Sequence, residues 1–331
     1  MILQERIELM VKLGSYLREN SEEWNRVKEE VFHHNGWFTP EFTQYAAEQI
    51  AEHFLQKEKL TRWTAHYHID DNIVPKNIGI IMAGNIPMVG FHDMLAVFIS
   101  GHHQTIKLSS KDDILLKHMV KLMTGWNPES AKHISFADML RGADAYIATG
   151  SNNSANAFEE YFGKYPSLIR RNRTSVAILT GNETSAELEA LSDDIHLFFG
   201  LGCRNVTKIY APKAYDFVPL IHSFHHYKYF ADHHKYKNNF DYQLSILLLN
   251  NIYYMSNEAT LLTENKGLFS PVSQVWFEYY TDIIAVKEKT VGNSEIQCIA
   301  GKGFQDFGST QQPGLFDYAD GVDTMQFLLG L

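Results

Sequence analysis

Between residues 76 and 180, short apolar runs alternate with stretches of helical period, and this alternation restricts the fold more than any other feature. Asn77-Ile78-Gly79-Ile80-Ile81-Met82-Ala83 is a continuous apolar run closed by Gly84, the pattern of a strand buried on both faces. A helix (88–100), a strand (104–108), a helix (111–124), a strand (143–149), a helix (153–162) and a strand (175–179) are predicted to follow. Strands separated by helices pair in parallel through right-handed crossovers, so this region is predicted to be a doubly wound α/β domain. Before it, apolar residues at Ile2, Leu3, Ile7, Leu9, Met10, Leu13 and Leu17 fall on a helical period. Thr39-Pro40-Glu41 reads as an N-cap with Pro at the first turn, opening a helix to about Leu55. A shorter helix lies between those two. After the domain, helices are predicted at 186–199 and 243–254, and strands at 206–210, 275–280 and 283–286. Three parts result: a helical segment packed on the core (1–75), an α/β domain (76–180) and a second α/β domain (181–331).

Composition narrows the function. The net charge of −10 carries no long basic run, which argues against nucleic acid as a partner, because phosphate binding needs clustered Lys and Arg. There are two cysteines, Cys203 and Cys298, 95 residues apart. That is no disulfide framework, and a reducing, cytoplasmic setting follows as an expectation. Charged residues occupy the first positions where a signal peptide is apolar, and no uncharged run approaches the length of a membrane span.

Four segments have the residue types for chemistry. Cys203 lies in Phe199-Gly200-Leu201-Gly202-Cys203-Arg204-Asn205. Glycines allow close approach of backbone to a substrate, and a neighbouring cation favours a thiolate; a buried structural cysteine is the plain alternative. Cys298 alternates like a strand residue in the core. Asn85, in Gly84-Asn85-Ile86-Pro87, follows the first strand, where ligands sit in such sheets. Its amide has the chemistry to donate to an oxyanion, unless the segment is an ordinary turn. Lys107 and Ser109, at the end of the next strand, suit a ribose or phosphate, or simply solvent. Thr149-Gly150-Ser151 runs from strand into helix, where backbone amides can seat a pyrophosphate. The usual dinucleotide fingerprint of three spaced glycines is missing.

The order amide, lysine, Thr-Gly-Ser, cysteine, at 85, 107, 149–151 and 203, resembles the aldehyde dehydrogenase superfamily. Residues 199–205 and the tail Asp317-Tyr318-Ala319-Asp320-Gly321-Val322-Asp323-Thr324-Met325 resemble the acyl-CoA reductase family more closely, which includes the fatty acid reductase of bacterial bioluminescence. The resemblance spans about 75–325 and is patchy between 215 and 300. It implies an aldehyde-dehydrogenase-like fold, with 76–180 as the doubly wound cofactor-binding domain and 181–331 as the catalytic α/β domain, and NADPH-dependent (or NADH-dependent) reduction of a fatty acyl-CoA to an aldehyde. Cys203 is then the nucleophile and Asn85 an oxyanion donor. Lys107, Ser109, Thr149, Gly150 and Ser151 then bind the cofactor. A homo-oligomer, and a synthetase or acyl-transfer partner delivering an acyl phosphate or adenylate, are further implications. A non-catalytic scaffold or acyl carrier is the reading from outside enzymology.

The departures carry information. Where hydrolytic members have a Glu-Leu-Gly-Gly segment that activates water, this chain has Ile169-Arg170-Arg171-Asn172-Arg173-Thr174-Ser175, with no carboxylate. An enzyme that exchanges its acyl group with a thiol needs no such base. Phe269-Ser270-Pro271-Val272 faintly resembles the superfamily's Phe-Gly-Pro-Val, with Gly267 where a ribose-binding Glu is expected. His222, His225 and His226 have helical spacing for zinc, yet the Tyr and Lys residues among and after them point to an amphipathic surface or subunit contact, and no metal is expected. His92, His102 and His103 read as structural or surface groups.

Overall fold

A computed structural model describes residues 1–331. The chain forms two compact units, Met1–Asn172 with Pro313–Leu331, and Arg173–Gln312. No helix is long and apolar enough to cross a membrane.

The first unit opens with four helices, α1 (Leu3–Arg18), α2 (Glu22–His34), α3 (Pro40–His53) and α4 (Lys57–His66). The α1 stripe Ile7, Leu9, Met10, Leu13 and Leu17 is buried, and Thr39 caps α3 by accepting the Phe42 N–H. Then come β1 (Asn77–Ile81), α5 (Phe91–Ser100), β2 (His103–Lys107), α6 (Ile114–Trp126), β3 (Ile134–Phe136), β4 (Ala145–Thr149), α7 (Asn152–Phe162) and β5 (Ser167–Arg170). The sheet order is β3-β2-β1-β4-β5, all parallel. From β1 the chain builds outward through β2 and β3, then returns to the other side of β1 for β4 and β5. The order therefore reverses between β1 and β4, and the crevice at the carboxyl ends there is where such sheets bind ligands.

The second unit contains β6 (Thr174–Ile178), α8 (Ser185–His196), β7 (Val206–Pro212), α9 (Val218–Ser223), α10 (His234–Leu249), β8 (Met255–Ser256), β9 (Leu261–Glu264), β10 (Gln274–Tyr280), α11 (Ile283–Thr290) and β11 (Ile296–Gly301). Its sheet runs β11-β6-β7-β10-β9-β8, parallel except for β8 against β9. Leu191 of α8, Ile209 of β7, Leu220 of α9 and Phe277 of β10 sit in its largest apolar cluster. The last helix, α12 (Thr324–Leu329), returns to the first unit and packs on α5. There the tail is held by a chain of hydroxyls. Trp63 Nε1–H donates to Tyr318 Oη (2.9 Å), Tyr318 to Tyr67 Oη (3.0 Å), and Tyr67 to Asp323 (2.5 Å).

Three expectations differ from this structure. The strand expected at 175–179 closes no sheet of the first unit; it is β6, paired with β7 and β11. The units accordingly part at Asn172/Arg173, and residues 1–75 and the tail share the first unit. Apolar texture is the same for strands of either sheet, and only the pairing partner assigns them. The strand expected at 283–286 is the start of α11. Asp282 caps it by accepting the Ile284 N–H at 2.9 Å, and Val286 and Thr290 bury one helical face. The helix expected at 243–254 is α10, which starts nine residues earlier at His234.

Candidate functional site

In the first unit, β1, β2 and β4 bring five of the expected residues to one sheet edge. Lys107 ends β2 and lies in register with Ile81, the end of β1; Ala148 of β4 flanks Ile81 on the other side, and Thr149 follows it. Lys107, Ser109, Ser110, Asp113 and Lys117 line a cavity of about 480 Å³, large and polar enough for the adenosine end of a dinucleotide. On the β4 side, Ser151 caps α7 by accepting the Ser154 N–H at 3.2 Å. A Cβ on Gly150 would stand 2.8 Å from that of Ser154, so only glycine lets the strand enter the helix here. The edge thus offers a helix N-terminus for an anion on one side of β1 and a lysine-lined cavity on the other. These residues fit a nicotinamide dinucleotide.

Asn85 is exposed in the loop 82–90 between β1 and α5. The loop is tightly made. A Cβ on Gly84 would meet Ser109 Cβ at 2.6 Å. Met88 is left-handed (φ 57°), an unfavourable conformation for a non-glycine residue. Its N–H donates to Asp112 Oδ2 at 2.7 Å. Asp112 is buried at 6% exposure, and burial pushes its carboxyl up to about 7, against the opposing pull of the Met88 N–H. The folded pKa lies above the unfolded one, so this group's favourable contribution is full below the unfolded value and is lost as pH rises through about 7. Urea unfolding of wild type and Asp112→Asn from pH 4 to pH 8 tests this. The variant's relative stability should grow with pH, reaching about 2–4 kcal/mol by pH 8. A difference that stays flat over that range refutes it.

In the second unit, Cys203 occupies the turn leading into β7, partly exposed, and forms no disulfide with Cys298. The approach to this turn is strained. Phe198 and Phe199 have φ of 56° and 58°, and Gly200 follows at 73°. Two successive left-handed phenylalanines persist only where packing fixes them, and Phe199 is held among Phe230, His233 and Tyr236. Asn205, with no exposed surface, braces the turn. Its Oδ1 accepts the Gly202 N–H (2.8 Å), while its Nδ2 donates to the carbonyls of Asp194, Ile195 and Leu197 at the end of α8. Ser175 of β6 donates to the Cys203 carbonyl and accepts the Cys298 N–H, both at 3.1 Å. Arg204 Nη1 donates to Cys298 Sγ at 3.2 Å. Cys298 is buried on β11, where its alternation placed it.

His196, the last residue of α8, is buried. Burial depresses its imidazole to about 4, so it is neutral at pH 7, with ring nitrogens 2.8 Å from Ser192 O and from Thr260 Oγ1. Gly267 has no room for a side chain, since a Cβ there would meet the Trp276 ring at 2.4 Å. His222 lies on α9 while His225 and His226 lie on a following 3-10 segment, so they share no single α-helix. No group of three His, Cys, Asp or Glu is placed to hold a metal. His92 packs among Phe54, Trp63 and Tyr318, and His102 bonds to Leu328 O and the Lys76 N–H.

Sequence reading missed Ser175 and Asp112 and gave Asn205 no role. Ser175 opened a predicted strand and stood in the segment with the missing carboxylate, with no signal of its contact to Cys203. Asn205 stood inside the cysteine segment, where a buried amide just before a strand was the available signal. Asp112 sits in Lys111-Asp112-Asp113, a run of charged residues in which nothing local signals burial.

No protein-family model and no curated protein sequence matches the chain. Solved structures do. An oxidoreductase from Marinobacter aquaeolei matches with a TM-score of 0.66 at 12% identity, over 86% of this chain and 70% of that one. The NAD+ complex of an aldehyde dehydrogenase from Bacillus cereus matches with a TM-score of 0.59 at 12% identity, over 89% and 70%. The propionaldehyde dehydrogenase of the Clostridium phytofermentans fucose utilisation microcompartment matches with a TM-score of 0.62 at 10% identity, over 94% and 81%. The two sheets, parallel except for β8, and their helices are those of an aldehyde-dehydrogenase-like fold.

Proposed function

We propose that the chain is a NAD(P)H-dependent reductase that converts a fatty acyl thioester to an aldehyde through a thioacyl group on Cys203. The observation that carries this reading is the Cys203 turn: a partly exposed thiol on a backbone braced at Gly202 and at the Cys203 carbonyl, approached through the strained Phe198–Phe199 pair. Such strain clusters where a side chain must be presented to a reactant. The fold shared with aldehyde dehydrogenases supports the reaction class.

In this reading the Cys203 thiolate attacks the thioester carbonyl, forming a carbon–sulfur bond and a tetrahedral oxyanion. The Cys203 N–H would donate to that oxygen, a contact worth about 3 kcal/mol in the transition state, and the Asn85 amide keeps the oxyanion-donor role that the resemblance implies. The oxyanion collapses, the bond to the CoA sulfur breaks, and CoA leaves as thiolate. NAD(P)H, when bound, would supply a hydride to the thioacyl carbon. The resulting thiohemiacetal on Cys203 releases the aldehyde and restores the thiolate. Lys107 and Ser109 would hold the adenosine ribose or its phosphate, and Thr149, Gly150 and Ser151 would border the rest of the cofactor. The stretch 169–175 supplies no carboxylate to activate water, which protects a thioacyl group from hydrolysis.

The test is intact-mass analysis after incubation with a long-chain acyl-CoA. An adduct of one acyl group should appear and should be discharged as aldehyde on adding NADPH or NADH. No adduct with acyl-CoA, acyl phosphate or acyl adenylate would overturn the reading.

A further inference from the structure

We propose that Asp112 is a positioning residue that joins the Asn85 loop to the cofactor-binding segment, so that an occupied Lys107–Ser109 site holds Asn85 in place; this rests on the function proposed above. Two segments meet here. One is the loop 82–90, which carries Asn85; the other is 107–113, which carries Lys107 and Ser109. The second curls on itself, with the Asp112 N–H donating to Ser109 O (3.0 Å) and the Lys111 N–H to Ser109 Oγ (3.3 Å). That curl turns the Asp112 carboxylate back to the first loop, where it takes the Met88 N–H. The two segments touch again at Gly84. A Cβ there would stand 2.6 Å from Ser109 Cβ and Oγ and 3.3 Å from Asp112 Cβ, so a shift of Ser109 is felt at the residue preceding Asn85.

Met88 is the hinge of the arrangement. It is left-handed and buried, and its carbonyl accepts the Phe91 N–H (2.9 Å) at the start of α5. A backbone in this conformation needs an external hold, and Asp112 provides it by accepting the Met88 N–H on Oδ2. A carboxyl serving packing alone is a poor choice for such a place. Asp112 Oδ1 is buried with no hydrogen-bond partner, and an apolar side chain would avoid that cost. What an apolar residue lacks is an acceptor for the Met88 N–H.

The experiment uses the full chain with NADP+, which occupies the cofactor site without reducing the acyl group. Two readouts are taken: the rate of acyl adduct formation from acyl-CoA, and hydrogen–deuterium exchange of residues 82–90. In the wild type, NADP+ should speed acylation and slow exchange of that loop. Asp112→Ala should lose both responses and acylate about ten- to a hundredfold more slowly with NADP+ present. Asp112→Asn keeps an acceptor oxygen and should retain both responses. A purely structural role would lower thermal stability in Asp112→Ala and leave its response to NADP+ intact; that result overturns the inference while the proposed function stands. A wild type that neither acylates nor binds NADP+ removes the proposed function and this inference with it.

Discussion

Cys203→Ala is expected to form no acyl adduct and to lose aldehyde formation by at least about 10⁴-fold, the scale seen when a covalent nucleophile is removed. Its unfolding free energy should stay within about 1 kcal/mol of wild type. The two expectations separate because the turn is held by groups other than the thiol. Ser175 holds the main-chain carbonyl of Cys203, and Asn205 holds Gly202 and the end of α8. Ser175→Ala retains the thiol but frees that carbonyl, so it should acylate more slowly and still reach one acyl group per chain. Cys298→Ser, altered on β11, should give the full adduct. Intact mass and urea unfolding of the three variants check all of this. An adduct of equal stoichiometry in Cys203→Ala would move the nucleophile elsewhere and end the proposed mechanism.

The first unit was more legible in the sequence than the second, for a physical reason. Its strands β1 and β4 are short runs, mostly apolar and buried on both faces, and β2 between them alternates buried and less buried residues; well-marked helices separate the three, so type and order follow from texture. Lys107 and Thr149 stand at strand ends, and strand ends were readable. In the second unit Ile283-Ile284-Ala285-Val286 has apolar character without a decisive period, and the Asp282 cap decided for helix. Partners across long separations were beyond reach. Ser175 finds Cys203 and Cys298 through sheet pairing 28 and 123 residues away, and nothing local in the sequence encodes that. The same holds for the left-handed Phe198 and Phe199. Two phenylalanines before a glycine read as the end of a helix, and only the rings packed around Phe199 explain a reversal of φ.

Arg170→Ala is expected to cost the first unit about 3–5 kcal/mol, the largest stability effect of any single substitution considered for this chain. Arg170 ends β5 with 4% of its surface exposed and makes an ion pair with Asp93 of α5, itself 6% exposed. Its second Nη donates to Thr324 Oγ1 at 2.7 Å, at the start of α12. One guanidinium thereby joins the edge strand, the helix that follows the Asn85 loop, and the C-terminal tail. Truncating it leaves the Asp93 carboxylate buried without its counter-charge. The cost is that of the orphaned charge more than of the pair, so the double substitution Arg170→Met with Asp93→Leu should recover most of it. A double-mutant cycle by urea unfolding reads the coupling directly. The loss should also reach the cofactor. Arg170 lies in register with Thr149, and the Gly150 N–H donates to the Arg170 carbonyl at 3.3 Å. A loosened β5 therefore frees the Thr149-Gly150-Ser151 turn, and NAD(P)H should bind more weakly to Arg170→Ala even where the protein remains folded. If the single variant unfolds within about 1 kcal/mol of wild type, the ion pair is not what joins these three elements.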